Sequence, residues 1–322
     1  MSGSRQFRGQ KPESREQNSR RGDSGCHKQS ARGARRVASA TLRVRPMALA
    51  DKPAVLRISR RIWEGNDYVP LFFDRWVEDG GFWAAELRRR IVGYGKATQL
   101  SPGEYWLEGL RVDPECRKQG IGKELSRRVL DKTLESRPVS LRLATADVNH
   151  ESLHIIETVM RFKPLAQYRF FLGEPKKSRP GPALVTPSVA EALHYVRRSS
   201  ELAASKGLLQ YTWLFRTLDR RYMAELARSG YAFGYRSGGS LAGLLVLRPH
   251  RYHGNDLDIS FVAGNRQALA AFRSFISRVA YDCGAKSISG MAASDEMAAA
   301  FASLGLKPHP RIGKVLVYEY PI

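Results

Sequence analysis

The chain has 322 residues, 43% of them hydrophobic, which is enough for two ordinary domains, each with its own core. Its formal net charge of +22 draws polyanions of every kind without selecting one, and no run of about 18 apolar residues is available to span a membrane. Cys26, Cys116 and Cys283 lie far apart and form neither a zinc-ligand spacing nor a disulfide framework, so no metal and a reducing, cytoplasmic setting are expected.

Residues 1–40 hold ten Lys/Arg, three Asp/Glu and the single aromatic Phe7, the composition of a disordered basic tail. If nucleic acid is a partner, this tail is the contact. Neither an apolar signal core nor the acid-poor composition of a transit peptide is present.

From Thr41, "TLRVRPM" (41–47) alternates as a strand. "ADKPAVLRISRRIW" (50–63) then puts Val55, Ile58 and Ile62 on one helical face, with Asp51 as the expected N-cap and Pro53 in the first turn. "YVPLFFDRWVEDG" (68–80) is an aromatic-rich helix closed by Gly80. "FWAAEL" (82–87), "RIVGYGKATQL" (90–100) and "EYWLEGLRV" (104–112) read as three consecutive strands. A helix (122–136), a strand (139–147), a helix opened by Asn149 (149–160) and a strand (166–172) complete the set.

The fold class is therefore α/β, a mixed sheet with helices on its faces. "GEPKKSRPGP" (173–182) has linker composition. Beyond it, helices at 188–205 and 220–230, strands within 231–251, a strand and long helix within 255–284, and strand, helix, strand over 286–320 repeat the outline. The same number of positions separates Gly120 from Lys163 as Gly264 from Lys307. We read a tail (1–40), a first domain (41–172), a linker (173–187) and a second copy of the fold (188–322).

Between the third strand and its helix stands "ECRKQGIGKEL" (115–125), where Arg117, Lys118 and Lys123 surround Gly120 and Gly122. A helix N-terminus carries unpaired N–H groups and partial positive charge, and glycines let a phosphate approach them. The stretch is neither a Walker A loop nor a dinucleotide fingerprint.

"RKQGIG" (117–122), the preceding "LEGLRVDPECR" (107–117) and the element order resemble the GCN5-related N-acetyltransferase (GNAT) superfamily. The resemblance implies two GNAT-like domains in tandem and acetyl-CoA as co-substrate. It places Leu110, Arg111 and Val112 along the pantetheine, and Arg117, Lys118, Gln119, Gly120, Ile121, Gly122 and Lys123 around the pyrophosphate. Asn149 and Ser152 would lie near the pantetheine.

Glu108, two residues before Leu110, matches the carboxylate that many relatives use to take the proton from the amine; its alternative is an ion pair with an arginine. Glu104, in the preceding turn, reads as a solvated carboxylate. Where the family often has a tyrosine as general acid, this chain has Ile156. Trp63, Tyr68, Phe72, Phe73, Trp76 and Trp83 crowd the region that lines the acceptor site in that family. His250 and His253 read as loop histidines.

"FVAGNRQAL" (261–269) keeps Gly264 but has Arg266 where the second glycine would stand, so the second copy reads as degenerate. "EGLRV" followed by such a copy is similar to tandem GNAT proteins grouped around a histidine N-acetyltransferase, which implies a small amine acceptor such as a free amino acid. The alternatives are a protein or peptide amine, or a non-catalytic acyl-CoA-sensing or nucleic-acid-binding protein. Oligomeric state is not encoded in these features.

Overall fold

A computed structural model describes residues 42–177 and 180–322. The tail and the strand start at Thr41 lie outside the described residues. The first half runs β1 (Arg43–Pro46), α1 (Lys52–Ser59), α2 (Val69–Glu78), β2 (Phe82–Leu87), β3 (Arg90–Ser101), β4 (Glu104–Val112), α3 (Ile121–Leu134), β5 (Ser140–Ala146), α4 (His150–His154) and β6 (Lys163–Gly173). The second runs α5 (Val189–Arg197), α6 (Ser200–Ala204), β7 (Leu208–Tyr211), β8 (Leu214–Thr217), α7 (Arg220–Arg228), β9 (Ala232–Ser237), β10 (Ser240–Pro249), β11 (Leu257–Gly264), α8 (Arg266–Asp282), β12 (Ile288–Ala292), α9 (Asp295–Leu304), a short β13 (Lys307–Pro308) and β14 (Val315–Glu319).

Val55, Ile58 and Ile62 are all buried, as their spacing requires. Asp51 stands at the N-cap position of α1, but its side chain makes no capping bond to that helix. Its carboxylate reaches back to the N–H of Ala48 and to Arg45, so it closes the preceding 3-10 turn instead. The helix expected over 188–205 breaks in two because the Ser199 hydroxyl caps α6 by accepting from the Leu202 N–H. The hairpin of β7 and β8 has no Gly, Pro or Asn turn signal; Thr212 takes the left-handed conformation at φ +56° in their place.

The halves share one sheet, in the order β1-β2-β3-β4-β5-β14-β6-β12-β11-β10-β9. β14, from the far end of the second half, pairs antiparallel with both β5 and β6 of the first. β6 in turn pairs with β12 of the second. Each half thus completes the other's sheet with its last long strand, and Val315, Val317 and Tyr318 are buried where they cross. Glu104 is not solvated. It is buried and accepts from Arg142 at 2.7 Å and from both the N–H and the hydroxyl of Thr217 at 2.8 Å, a polar tie across the halves.

Candidate active site

Between Tyr94↔Arg111 and Lys96↔Glu108, the ladder of β3 and β4 advances two residues on β3 and three on β4. The extra residue makes a bulge at Gly109, where φ is +67° and a Cβ would strike the Trp76 ring. β4 pairs with β5 only over Glu104–Trp106, so residues 107–112 leave the parallel ladder and a gap opens between the strands. Leu110, Arg111 and Val112 border it and are partly exposed. No strand pairs with their main chain on that side, where the Leu110 carbonyl accepts from the Arg111 guanidinium at 2.9 Å and the remaining groups can meet an extended ligand as a neighbouring strand would.

The gap leads toward the loop before α3. Asp113 is fully buried and anchors that loop: it accepts from the Glu115 N–H, from Arg57 at 2.7 Å and from Arg90 at 3.0 Å. Burial works to raise its pKa, yet the Glu115 N–H and the Arg57 and Arg90 guanidinium groups hold it below the ordinary aspartate value. Gly120 turns the chain at φ +78° and offers α3 no capping side chain. Ile121 is buried, and Gly122 lies over Val112 and Ile155. Arg117, Lys118, Gln119 and Lys123 are exposed around this uncapped N-terminus, and among the described residues no carboxylate pairs with the three cations. The geometry is that of an anion cradle.

Asn149 caps α4, its side chain accepting from the Ser152 N–H at 3.3 Å. Ile156 is buried in the core. α4 ends in a wide π turn over Ile155–Val159, and the phenol bonded to that turn is Tyr318 of β14, which donates to Glu157 at 2.6 Å. Burial first, and Glu157 second, push Tyr318 up to about 12, so it stays protonated at neutral pH.

On the opposite side of β4, Glu108 is buried and both its oxygens are engaged. Thr98 donates to it at 2.7 Å, and Arg251, 143 positions downstream, donates at 3.0 and 3.4 Å. Arg251 lies over Phe72 and Tyr252, and Tyr252 stacks on Tyr68 with ring centres 4.3 Å apart. Arg111 turns its side chain to Asp67, at 2.9 and 3.2 Å, beneath Trp63. Lys96, opposite Glu108 in the ladder, instead donates to the carbonyls of Gly80 and Ala97. Phe73 and Trp76 are core, Trp63 is largely exposed, and Trp83 packs with the α3 face rather than this wall.

Arg251, Tyr252 and Thr98 are the residues that sequence reasoning missed. "RPHRYHG" drew attention only through its histidines, and nothing local in it announces a contact with β4. His250 in fact shapes the turn, its Nδ1 accepting from the N–H groups of Tyr252 and His253.

The second half keeps the plan without the chemistry. β10 and β11 carry a bulge at Ser260, and the residues that flank it, Ile259 and Phe261, are apolar and fully buried. β11 runs directly into α8, whose N-terminus is capped by the Asn265 side chain at 2.9 Å. Phe301 of α9 packs so closely on Gly290 that a Cβ there would lie 2.5 Å from its ring.

Residues 53–160 match the acetyltransferase (GNAT) family model. The probable N-acetyltransferase camello of Xenopus laevis is 32% identical over 93 residues, 28% of this chain, and the match spans 42% of that relative's length. A GCN5-related N-acetyltransferase from Sphaerobacter thermophilus superposes with a TM-score of 0.60 over 87% of this chain and 95% of its own, at 12% identity. A tandem GNAT protein from the clavulanic acid biosynthesis pathway gives 0.58 over 87% and 98%, at 14% identity. These two share the fold. Residues 53–160 thus resemble the GNAT acetyltransferases in sequence, and the fold of the chain is that of two GNAT-like domains in tandem.

Proposed function

We propose that the chain transfers an acetyl group from acetyl-CoA directly to the amine of a small molecule such as a free amino acid. The observation that carries this is the gap between β4 and β5, opened by the Gly109 bulge and ending at the uncapped, cation-ringed N-terminus of α3. Leu110, Arg111 and Val112 would hold the pantetheine through their main chain. Residues Arg117 to Lys123 would hold the pyrophosphate through N–H groups and the three cations. Asn149 keeps its side-chain N–H₂ free while its oxygen caps α4, so it can still donate toward the pantetheine beside Ser152.

An ammonium must lose a proton before it can attack. Glu108, facing the acceptor side of the bulged strand, is the base in this reading, with Thr98 orienting it. The nitrogen lone pair then bonds to the acetyl carbon, the C–S bond breaks, and the second N–H proton shed by the new amide balances the leaving thiolate, which departs as the thiol. The aromatic wall of Tyr68, Phe72 and Tyr252 excludes water from the approach.

The test is thiol release from acetyl-CoA against a panel of amino acids, polyamines and peptides. Glu108→Gln should lower kcat by about 10²–10⁴ while acetyl-CoA binding persists. Preferential turnover of peptides would move the acceptor class to proteins. Failure to bind acetyl-CoA would remove the cofactor reading altogether.

A further inference from the structure

Glu108 and Arg251 form a buried ion pair, their side chains 4% and 12% exposed. Arg111, the other arginine on this wall, is already neutralised by Asp67. A base must change its charge to work. Once Glu108 takes a proton, Arg251 is left as a buried cation with no counterion, an arrangement that proteins strongly disfavour. Lys96, opposite Glu108, adds positive charge and does not compensate. An acceptor carrying only an amine therefore meets an occupied carboxylate and leaves a stranded guanidinium behind.

An acceptor that brings its own carboxylate avoids both difficulties. We propose that Arg251, supplied by the second half, determines acceptor specificity by taking the carboxylate of a free α-amino acid, or a similarly short amino acid. The adjacent ammonium then replaces Arg251 as the partner of Glu108. The two protein groups touch at 3.0 Å, and an ammonium and a carboxylate on neighbouring carbons present the complementary pair at similar spacing. Phe72 and Tyr252 flank the guanidinium and hold its plane for a bidentate grip.

Charge balances throughout. One ammonium proton passes to Glu108, the freed nitrogen bonds to the acetyl carbon, the C–S bond breaks, the leaving thiolate takes up the second N–H proton that the new amide sheds, and Arg251 keeps the substrate carboxylate as counterion. A peptide N-terminus or a polyamine offers no carboxylate at that place and is turned away.

This inference rests on Glu108 as the base, so the experiment separates the two. Thiol release by the wild-type chain is measured with an amino acid, its carboxamide and the decarboxylated amine. The carboxamide's amine is the most readily deprotonated, so intrinsic reactivity favours the amide and a preference for the acid reports recognition. We expect kcat/KM to favour the acid by about 10³-fold or more, as for sites whose buried polar group is left unpaired by the wrong substrate. Arg251→Met should erase the preference mainly through KM for the acid, and Arg251→Lys should restore part of it.

Equal turnover of acid and amide by the wild type overturns the proposal and leaves the acetyltransferase reading standing. An equal loss on both substrates in Arg251→Met also overturns it, since it marks a purely structural role. Acetyl-CoA binding without turnover of any acceptor overturns the reading of Glu108 and this proposal with it. The wild-type comparison stands even if a variant fails to fold.

Discussion

The Cβ that alanine would add at Gly109 lies 2.8 Å from Cζ3 of Trp76, on backbone with φ +67°. Gly109→Ala therefore meets both a left-handed backbone penalty of about 1–2 kcal/mol and an overpacking cost of about 1–3 kcal/mol. Trp76 is nearly fully buried and cannot move aside. The expected outcome is a loss of roughly 2–5 kcal/mol in denaturant unfolding. Acetyl-CoA binding should fall further than stability does, because the bulge is what turns β4 away from β5.

Gly120 behaves differently. It has φ +78° but no heavy atom within 4 Å of its missing Cβ, so substitution strains the turn without disturbing packing. Gly120→Val should cost about 1–2 kcal/mol of stability and weaken acetyl-CoA at least tenfold in calorimetry. Charge reversal at Lys123 should weaken binding in a salt-dependent way. Wild-type titrations should saturate at a single acetyl-CoA per chain, because Asn265 and Phe301 fill the corresponding places in the second half.

The turn that carries Arg251 depends on a neutral imidazole. Burial, then the neighbouring His253, push His250 down to about 4, while its Nδ1 accepts two backbone N–H groups. The unfolded ring takes up a proton first as pH falls. The contribution is therefore complete above the ordinary value of 6.5 and is lost progressively toward pH 4. On the order of 2–3 kcal/mol should disappear across that window. His250→Asn, which can accept the same N–H groups without titrating, should flatten this part of a Tm-against-pH profile.

The exchanged strands make the halves interdependent. A fragment of residues 42–177 leaves β5 and β6 without β14 between them, exposing two long edges and the apolar surface that Val315 and Val317 cover. It should aggregate or remain unfolded by circular dichroism, and co-expression with residues 180–322 should rescue it. A cooperatively folded fragment would show that β14 is dispensable to the first half.

Much of the site is written locally. The cations and glycines at 117–123 mark an anion cradle wherever a strand meets a helix, because the needed features belong to the backbone and to adjacent side chains. The alternation of β3 and β4 places Glu108 on the strand, and the paired outlines of 41–172 and 188–322 announce the repeat. Ile259 and Phe261 are legible as apolar, although only the structure places them on either side of the bulge at Ser260.

The sequence by itself determined the repeated element order, the cradle and the strand that bears the carboxylate, since these follow from periodicity, turn residues and charge over short stretches. Tertiary structure alone decided which charges meet. Glu108 and Arg251 are joined across 143 positions, Glu104 is drawn out of solvent by Thr217, and β14 leaves its own half to separate β5 from β6. Such contacts depend on sheet order and on the closure of long loops, and no local propensity records them.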